Sequence, residues 1–459
     1  MPTPTPFLDL MAEWVPAQRW FASKGRAPAL RQIGGWEMPS QGVRVRTHLL
    51  MDHSGALPTL YQVPVTERVV PLEGAEGALI GTLTDEQGDL RYLYDGPHDP
   101  AYARGLLRLI ALGSHAIPEG ANAFGVTFGD AGPVNVLSSK VLSGEQSNTS
   151  IIYELASDIG VKQVICKVFR ALHHGNNPDV DLQSALAVAG CLNVPGSIGC
   201  VVGEWNDVGR ADGRARGHAA FAQDFVAGAE DAWRYALRVA GAGEDFTSRA
   251  RELGVVTAEV HSILAEVLPT REAEPADIDA TLASWRRRLD LAVAEVPVVA
   301  EFGELIDRLY SSVGHLRWPR LQRIHGDFHL GQVLAAPDGR WMLLDFEGEP
   351  LRPMVERSQA DFAVRDVAGM LRSFDYVAGS LGGGEQAEKW AGDSRRAFLD
   401  GYIERSGFDL RAQRSLLDAF EVDKAIYEAV YEARNRPDWL PIPTAALKRL
   451  ADRARLALA

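Results

Sequence analysis

Ile324-His325-Gly326-Asp327-Phe328-His329-Leu330-Gly331-Gln332-Val333-Leu334 is followed, after a polar break, by Trp341-Met342-Leu343-Leu344-Asp345-Phe346-Glu347. An apolar strand leads into a tight turn carrying Asp327. An amide, Gln332, comes five residues later, and a second carboxylate, Asp345, ends another apolar strand. These are the parts that phosphoryl transfer needs. One carboxylate receives or orients the proton of the attacking hydroxyl, while an amide oxygen and a second carboxylate hold Mg²⁺ against nucleotide phosphates. His325 is expected to tie the loop together beside the catalytic group, and His329 to meet the substrate.

Outward from this stretch, the chain divides by character. Residues 1–95 carry short alternating runs punctuated by Gly, Pro and Asp, among them RVRTHLLMD and TLYQVPVTER, which read as strands of a small sheet. Residues 96–222 open with an amphipathic stretch and continue with strands interrupted by one helix, whose start has Asn177 as cap and Pro178 at the first turn. Residues 223–459 read as mostly helical, except for strand, loop and strand at 321–350. The expected class is α+β, with a β-rich cap (1–95), a small β-rich lobe (96–222) and a large helical lobe (223–459).

Composition narrows the function. Of 459 residues, 47 are Lys or Arg and 61 are Asp or Glu, a formal charge of −14. A field of that sign repels phosphate backbones and anionic lipid, so no nucleic-acid or membrane partner is expected. The aromatic and basic run Trp14, Arg19, Trp20, Lys24 and Arg26 reads as a packed cap element rather than a nucleic-acid platform. Cys166, Cys191 and Cys200 follow no metal or disulfide spacing and read as free thiols of a cytoplasmic protein. The N-terminus has no signal-peptide pattern, and no apolar run approaches a bilayer span.

In protein kinases the corresponding signature is H-R-D, an Asn five residues on, then D-F-G. HGDFHLGQVL followed by LLDFEGEP resembles the aminoglycoside- and choline-phosphotransferase branch of that fold, with Gly replacing the Arg. More closely, it resembles the actinobacterial maltokinases. WVPAQRWFASKGR (14–26), GEQSNTSIIYE (144–154), CKVFRALHHGNNPDVDL (166–182), RDVAGMLRSFDY (365–376) and YEARNRPDWLPIP (431–443) resemble that family's segments in order. The resemblance implies a bilobal protein-kinase-like fold with an N-terminal cap. It also implies ATP- and Mg²⁺-dependent phosphorylation of maltose at the anomeric hydroxyl, feeding glycogen-type glucan synthesis, with association with a trehalose-converting enzyme as family context. By the same resemblance Asp327 matches the catalytic aspartate, Gln332 and Asp345 the metal ligands, Lys167 the lysine that grips phosphates, and Asp366 a carboxylate supporting the catalytic loop. The helix carboxylate that pairs with the lysine falls at Asp181, with Asp179 also close.

Other residues stand beside these. In VKQVICKVF, Lys167 shares a strand face with Val161, Gln163, Ile165 and Phe169, so it needs an anionic partner. Ser147, Asn148 and Thr149 offer donors for a phosphate loop, although a plain polar hairpin accounts for the same residues. The link between lobes is expected from Gln223 through Phe225 to Val226, holding adenine through backbone groups. Phe420, Asp423, Tyr427, Tyr431 and Arg434 recur along one helix face, and with Trp439 they suit a sugar: aromatic faces for the ring, polar groups for the hydroxyls. A helix packing its tyrosines on the domain fits the same spacing. Glu347, Glu349, Asp375 and Asp423 keep open a cationic acceptor such as glucosamine or an aminoglycoside. A metal cluster of His325, Asp327 and His329 with His173 and His174 leaves Gln332, Lys167 and Asp345 without a role.

Overall fold

A computed structural model describes residues 6–85, 87–129, 134–142, 147–157, 160–349 and 352–457. Two compact units comprise it, one of Met1–Ser184 with Pro195–Ala227, the other of Ala185–Val194 with Gly228–Ala459. The mixed α+β content expected from the sequence is present, with sheets in the first unit and mostly helices in the second.

In the first unit, helix α1 (Pro6–Trp14) precedes strands β1 (Leu30–Met38), β2 (Arg44–Asp52), β3 (Thr59–Arg68), β4 (Leu79–Thr84) and β5 (Leu90–Asp95). They pair antiparallel in the order β4-β5-β3-β2-β1. Helix α2 (Pro100–Ala111) starts where the sequence dictates, since Asp99 accepts the Ala101 N–H at 2.8 Å and Pro100 needs no donor. The Asp99 carboxylate also takes a forked pair of bonds from Arg68, at 2.7 and 2.8 Å. Two short strands then join the first sheet: β6 (Ile117–Pro118) on β1, and β11 (Ala171–Leu172) on β3. The cap expected to close at residue 95 therefore borrows strands from the next segment, and both fall in one compact unit.

The second sheet has the order β7-β12-β13-β10-β9-β8, built from β7 (Asn122–Thr127), β8 (Asn135–Val141), β9 (Asn148–Ser157), β10 (Gly160–Phe169), β12 (Ser197–Asn206) and β13 (Arg214–Asp224). Helix α3 (Pro178–Val188) begins as expected, with Asn177 accepting the Asp179 N–H at 2.9 Å. The apolar side of α2 enters one core with both sheets, joining Trp36 and Met38 to Leu106, Leu109, Val164, Val201 and Phe221. Each fully buried Leu or Ile there contributes roughly 2 kcal/mol. A second core closes the other face of the first sheet with Met11, Val15, Trp20 and Phe21. Trp20 thus belongs to a packed cap element. All three cysteines are free and buried, and burial pushes the Cys166 and Cys200 thiols up.

The second unit opens on β14 (Glu230–Asp231), followed by α4 (Ala232–Gly241), α5 (Thr247–Val267), α6 (Pro275–Glu295) and α7 (Gly303–Val313). The stretch expected as strand, loop, strand supplies β15 (Leu321–Gln322), β16 (Val333–Ala335) and β17 (Trp341–Leu343). Strand β16 lies between β14 and β17, and β15 pairs with β18 (Asp361–Phe362), which follows the short helix α8 (Met354–Arg357). Helices α9 (Val364–Ser380), α10 (Glu385–Ser406), α11 (Arg414–Asn435) and α12 (Pro441–Ala457) complete the unit. Among the described residues no helix is long and apolar enough to cross a membrane.

Candidate active site

The Asp327 loop is held from beneath by Asp366 in α9. Its Oδ2 accepts the His325 N–H and its Oδ1 the Gly326 N–H, each at 2.8 Å. His261 of α5 adds a third bond at 3.0 Å and is itself bonded to Tyr402. Burial pushes the Asp366 carboxyl up, but the His261 bond, the favourable field of the His261 and His325 rings and the Gly326 N–H outweigh it and hold it below the ordinary value. The turn demands glycine at Gly326, where φ is +84°. It also demands one at Gly369, where a Cβ would come 2.5 Å from the Phe328 carbonyl oxygen. Absence of a side chain there lets α9 approach the loop.

His325 is the tie expected of it. Its buried ring lies between Phe328 and Phe346, at 5.2 and 4.6 Å between centroids. Nε2 donates to the Leu344 carbonyl at 2.8 Å, which leaves Nδ1 to accept the Asp327 N–H at 3.4 Å. With both nitrogens committed, His325 is unsuited to the metal-cluster alternative. His329 accepts the Gly331 N–H through Nδ1, and its Nε2 stands 4.0 Å from Asp327 Oδ2.

Gln332 and Asp345 meet across β16 and β17. The amide nitrogen donates to Asp345 Oδ2 at 3.3 Å, and the Leu344 N–H bonds the Gln332 carbonyl. Asp345 has φ +62°, the sole non-glycine residue with positive φ among those described. Such a conformation is strained for most side chains and least costly for Asp and Asn. Oxygens of Asp345 and Glu347 lie within 4.8 Å of each other. A carboxylate pair beside an amide whose half-turn presents its oxygen is a hard, all-oxygen donor set, which fits Mg²⁺.

In the first unit, Lys167 Nζ donates to Asp179 Oδ2 at 2.8 Å. Of the two partners the sequence left open, Asp179 makes this bond, and Gln183 braces its other oxygen at 2.6 Å. Asp181, the position first matched to that role, is half-buried two residues along, on another side of the helix, its N–H bonded to the Asn177 carbonyl. The fully buried face of β10 is Val164, Cys166 and Val168, so Lys167 stands on the half-buried face with Gln163 and Ile165.

The phosphate-loop expectation divides. Gly144, Glu145 and Gln146 lie outside the described residues. Ser147 is exposed and Asn148 half-buried, but Thr149 is buried and its hydroxyl accepts a bond from Arg170 Nε at 2.8 Å. Arg170, fully buried, also grips Asp95 at 2.7 and 2.8 Å and lies over the Trp20 ring. Thr149 is therefore committed to the core opposite the lysine's face. Ser150 is the register partner of Lys167 on β9. At the link, Gln223 is the last but one residue of β13, half-buried opposite Ile165, and the Phe225 N–H is already bonded to the Gln163 carbonyl at 3.1 Å.

The stripe on α11 also divides. Phe420 packs in an aromatic core with Trp285, Trp318 and Phe362, and buried Asp423 faces Arg288 and Arg365. Tyr427 and Tyr431 stack with ring centroids 6.5 Å apart. Arg434 turns away to Glu295 of α6 and does not join them. Arg436, which the sequence reading passed over, lies over both Tyr431 and Trp439, at 5.5 and 4.7 Å.

The most consequential residue missed is Lys424. Its Nζ donates to Asp327 Oδ1 at 3.1 Å and to Glu349 Oε1 at 2.8 Å, and stands 5.1 Å from the Tyr427 ring centroid. Burial would drive off its proton, but the Glu349 and Asp327 carboxylates outweigh that and keep it charged. Burial likewise opposes ionisation of Glu349, yet Lys424, Arg365 and Arg352 bring it down to about 2. The available signal was its place one turn before Tyr427, on the helix already chosen for the acceptor.

Residues 14–99 match the maltokinase N-terminal cap domain, and residues 186–415, half of the chain, match the phosphotransferase enzyme family. A glucosamine kinase of Streptacidiphilus jiangxiensis is 31% identical over 49% of this chain and 56% of its own length. One of Mycolicibacterium smegmatis is 30% identical over 50% of this chain and 62% of its length. Each alignment thus spans under two thirds of the relative. A glucosamine kinase solved in complex with glucosamine, ADP and inorganic phosphate is similar over 98% of this chain and 99% of its own, with a TM-score of 0.68 and 23% identity, a likeness of fold. The chain belongs to the phosphotransferase enzyme family.

Proposed function

We propose that this protein is an ATP- and Mg²⁺-dependent sugar kinase that phosphorylates the anomeric hydroxyl of maltose, giving maltose 1-phosphate and ADP. The observation that carries the kinase reading is the Asp327 turn, braced by Asp366 and followed by the Gln332–Asp345 pair. Asp327 orients the acceptor hydroxyl and takes its proton as the new O–P bond forms and the bond to ADP breaks. His325 and Asp366 act through the loop backbone. Lys167, steadied by Asp179, holds the nucleotide phosphates. Gln332 and Asp345 would hold the metal, which supplies charge neutralisation at the phosphates when bound. Tyr427, Tyr431 and Trp439 provide the apolar faces a sugar ring needs.

Maltose as acceptor is supported by the match of residues 14–99 to the maltokinase cap. A second reading, glucosamine as acceptor, is favoured by the names of the two curated relatives. Incubation with Mg²⁺-ATP and a panel of maltose, glucose, glucosamine, trehalose and an aminoglycoside decides between them, following ADP release and placing the phosphate by NMR. Turnover of maltose with phosphate on the anomeric carbon is expected, and Asp327→Asn should abolish it while keeping the fold. Near-normal turnover in Asp327→Asn would refute the role of that carboxylate.

A further inference from the structure

The two oxygens of the Asp327 carboxylate differ in their neighbours. Oδ1 accepts a hydrogen bond from Lys424 Nζ at 3.1 Å. Among the described residues no hydrogen bond reaches Oδ2, and His329 Nε2 stands 4.0 Å from it. One oxygen is held and the other is open, which is what a base needs in order to meet a hydroxyl from a fixed direction. Lys424 Nζ also donates to Glu349 Oε1 at 2.8 Å, the shorter of its two bonds. Glu349 is 2% exposed and lies 3.4 Å from Arg352, which in turn reaches Asp361 at 3.3 Å. The ammonium is thus anchored on a group other than the base.

We propose that Lys424 is a positioning residue for phosphoryl transfer: anchored on Glu349, its ammonium pins Oδ1 of Asp327 and leaves Oδ2 to receive the acceptor hydroxyl. This rests on the kinase reading and deepens it by naming what orients the base. The charges follow the same logic. Two carboxylates share one ammonium, so Glu349, Lys424 and Asp327 together carry a single negative charge. That charge is cancelled when Asp327 takes the hydroxyl proton, as the acceptor oxygen bonds to the γ-phosphorus and the bond to ADP breaks. The ammonium then keeps its Glu349 partner, and no charge is orphaned in a largely buried place. Without Lys424, the Asp327 carboxylate is free to turn about its side-chain bond and meets the like charge of Glu349 directly.

The test measures kcat and KM in the full chain with Mg²⁺-ATP and whichever sugar the wild type turns over, for wild type, Lys424→Met and Lys424→Arg. Lys424→Met should lower kcat about 100-fold, the cost of a misdirected base, and leave KM for ATP within about twofold. Lys424→Arg restores a cation that can bond both carboxylates and should regain about tenfold of that loss. A kcat within about threefold of wild type in folded Lys424→Met, checked by circular dichroism, overturns the proposal and leaves the kinase reading standing. So does a loss carried by KM for ATP alone, or a Lys424→Arg no faster than Lys424→Met, since the held cation would then not be what acts. Should Lys424→Met fail to fold with Glu349 left buried and unpaired, the double variant Lys424→Met/Glu349→Gln removes that charge. Read against Glu349→Gln alone, it should show a fall in kcat of about 100-fold, and equal kcat would overturn the proposal. A wild type that turns over no acceptor removes the kinase reading and the proposal together.

Discussion

Asp366 grips the backbone of Gly326 at 2.8 Å across forty residues of chain, so the position of Asp327 is set by a buried carboxylate on another element, α9. The same group takes bonds from His325 and His261 and is 1% exposed. Asp366→Asn keeps the shape but offers a single acceptor to three donors and turns an NH₂ toward one of them. Charge-assisted hydrogen bonds of this kind are worth about 1.5–3 kcal/mol each. Denaturant unfolding should show a loss of about 2–4 kcal/mol, and kcat should fall at least tenfold with little change in KM for ATP. Unchanged kcat in the folded variant would mean that the loop holds its geometry without this brace.

Asp345 sits at φ +62°, a conformation that Asn tolerates as well as Asp does. Asp345→Asn therefore removes the charge and leaves the backbone at ease, whereas Asp345→Ala removes the charge and adds strain. Both should raise the Mg²⁺ concentration for half-maximal activity by about tenfold or more, since a hard cation loses its anionic ligand. Alanine alone should lower the melting temperature appreciably. A Mg²⁺ dependence identical to wild type in Asp345→Asn would exclude this carboxylate from the metal site.

Legibility in the sequence followed the range of the interaction. The loop motif gave Asp327, Gln332, Asp345 and the two apolar strands, because their relations are local. Asp366 came from its place in a matched segment, and its carboxylate bonds the His325 and Gly326 N–H groups. Helical periodicity gave the face of α11 correctly but not what covers it. The 22-residue helix is about 33 Å long. Along that length the helix meets Trp285 and Phe362 at Phe420, then Arg288 and Arg365 at Asp423, then Glu295 at Arg434. Thr149 was read with the polar turn before it, and its bond to buried Arg170, twenty-one residues on, has no local signal. Lys424 escaped notice for a similar reason. A lysine on an amphipathic helix reads as solvated until two carboxylates distant in sequence are found beside it.

Arg436 follows the last residue of α11, at φ −145° and ψ 67°, so no periodic pattern reaches it. Its guanidinium nevertheless lies over the Tyr431 and Trp439 rings while paired with Glu432. Arg434 is exposed and engaged with Glu295. If the tyrosines and Trp439 receive the sugar, Arg436→Ala should raise KM for maltose at least fivefold and leave KM for ATP alone. Arg434→Ala should change neither by more than about twofold, as expected for an exposed ion pair. The reverse pattern would restore Arg434 to the acceptor side.

His48 lies on β2 with its ring centroid 4.2 Å from that of Phe7, the planes tilted by 33°; it is 3% exposed, and neither ring nitrogen has a hydrogen-bond partner. Burial, reinforced by the charges of Arg46 and Arg44, brings its pKa from 6.5 down to about 3. The unfolded chain therefore binds a proton below pH 6.5 that the folded chain refuses until about pH 3. Stability from this group is complete above pH 6.5 and is lost as pH falls through that window, by about 1.4 kcal/mol per unit. By pH 5 the loss is about 2 kcal/mol. His218, pushed down to about 4 mainly by burial, acts in the same direction, so removing His48 should relieve only part of the acid sensitivity. His48→Leu keeps an apolar contact for Phe7 and has nothing to protonate. Melting temperatures at pH 7.5 and pH 5.0 should therefore differ by several degrees less in His48→Leu than in wild type, about 4 °C less by the usual relation of free energy to midpoint. An equal acid shift in both proteins would mean that the His48 ring gains its proton in the folded state.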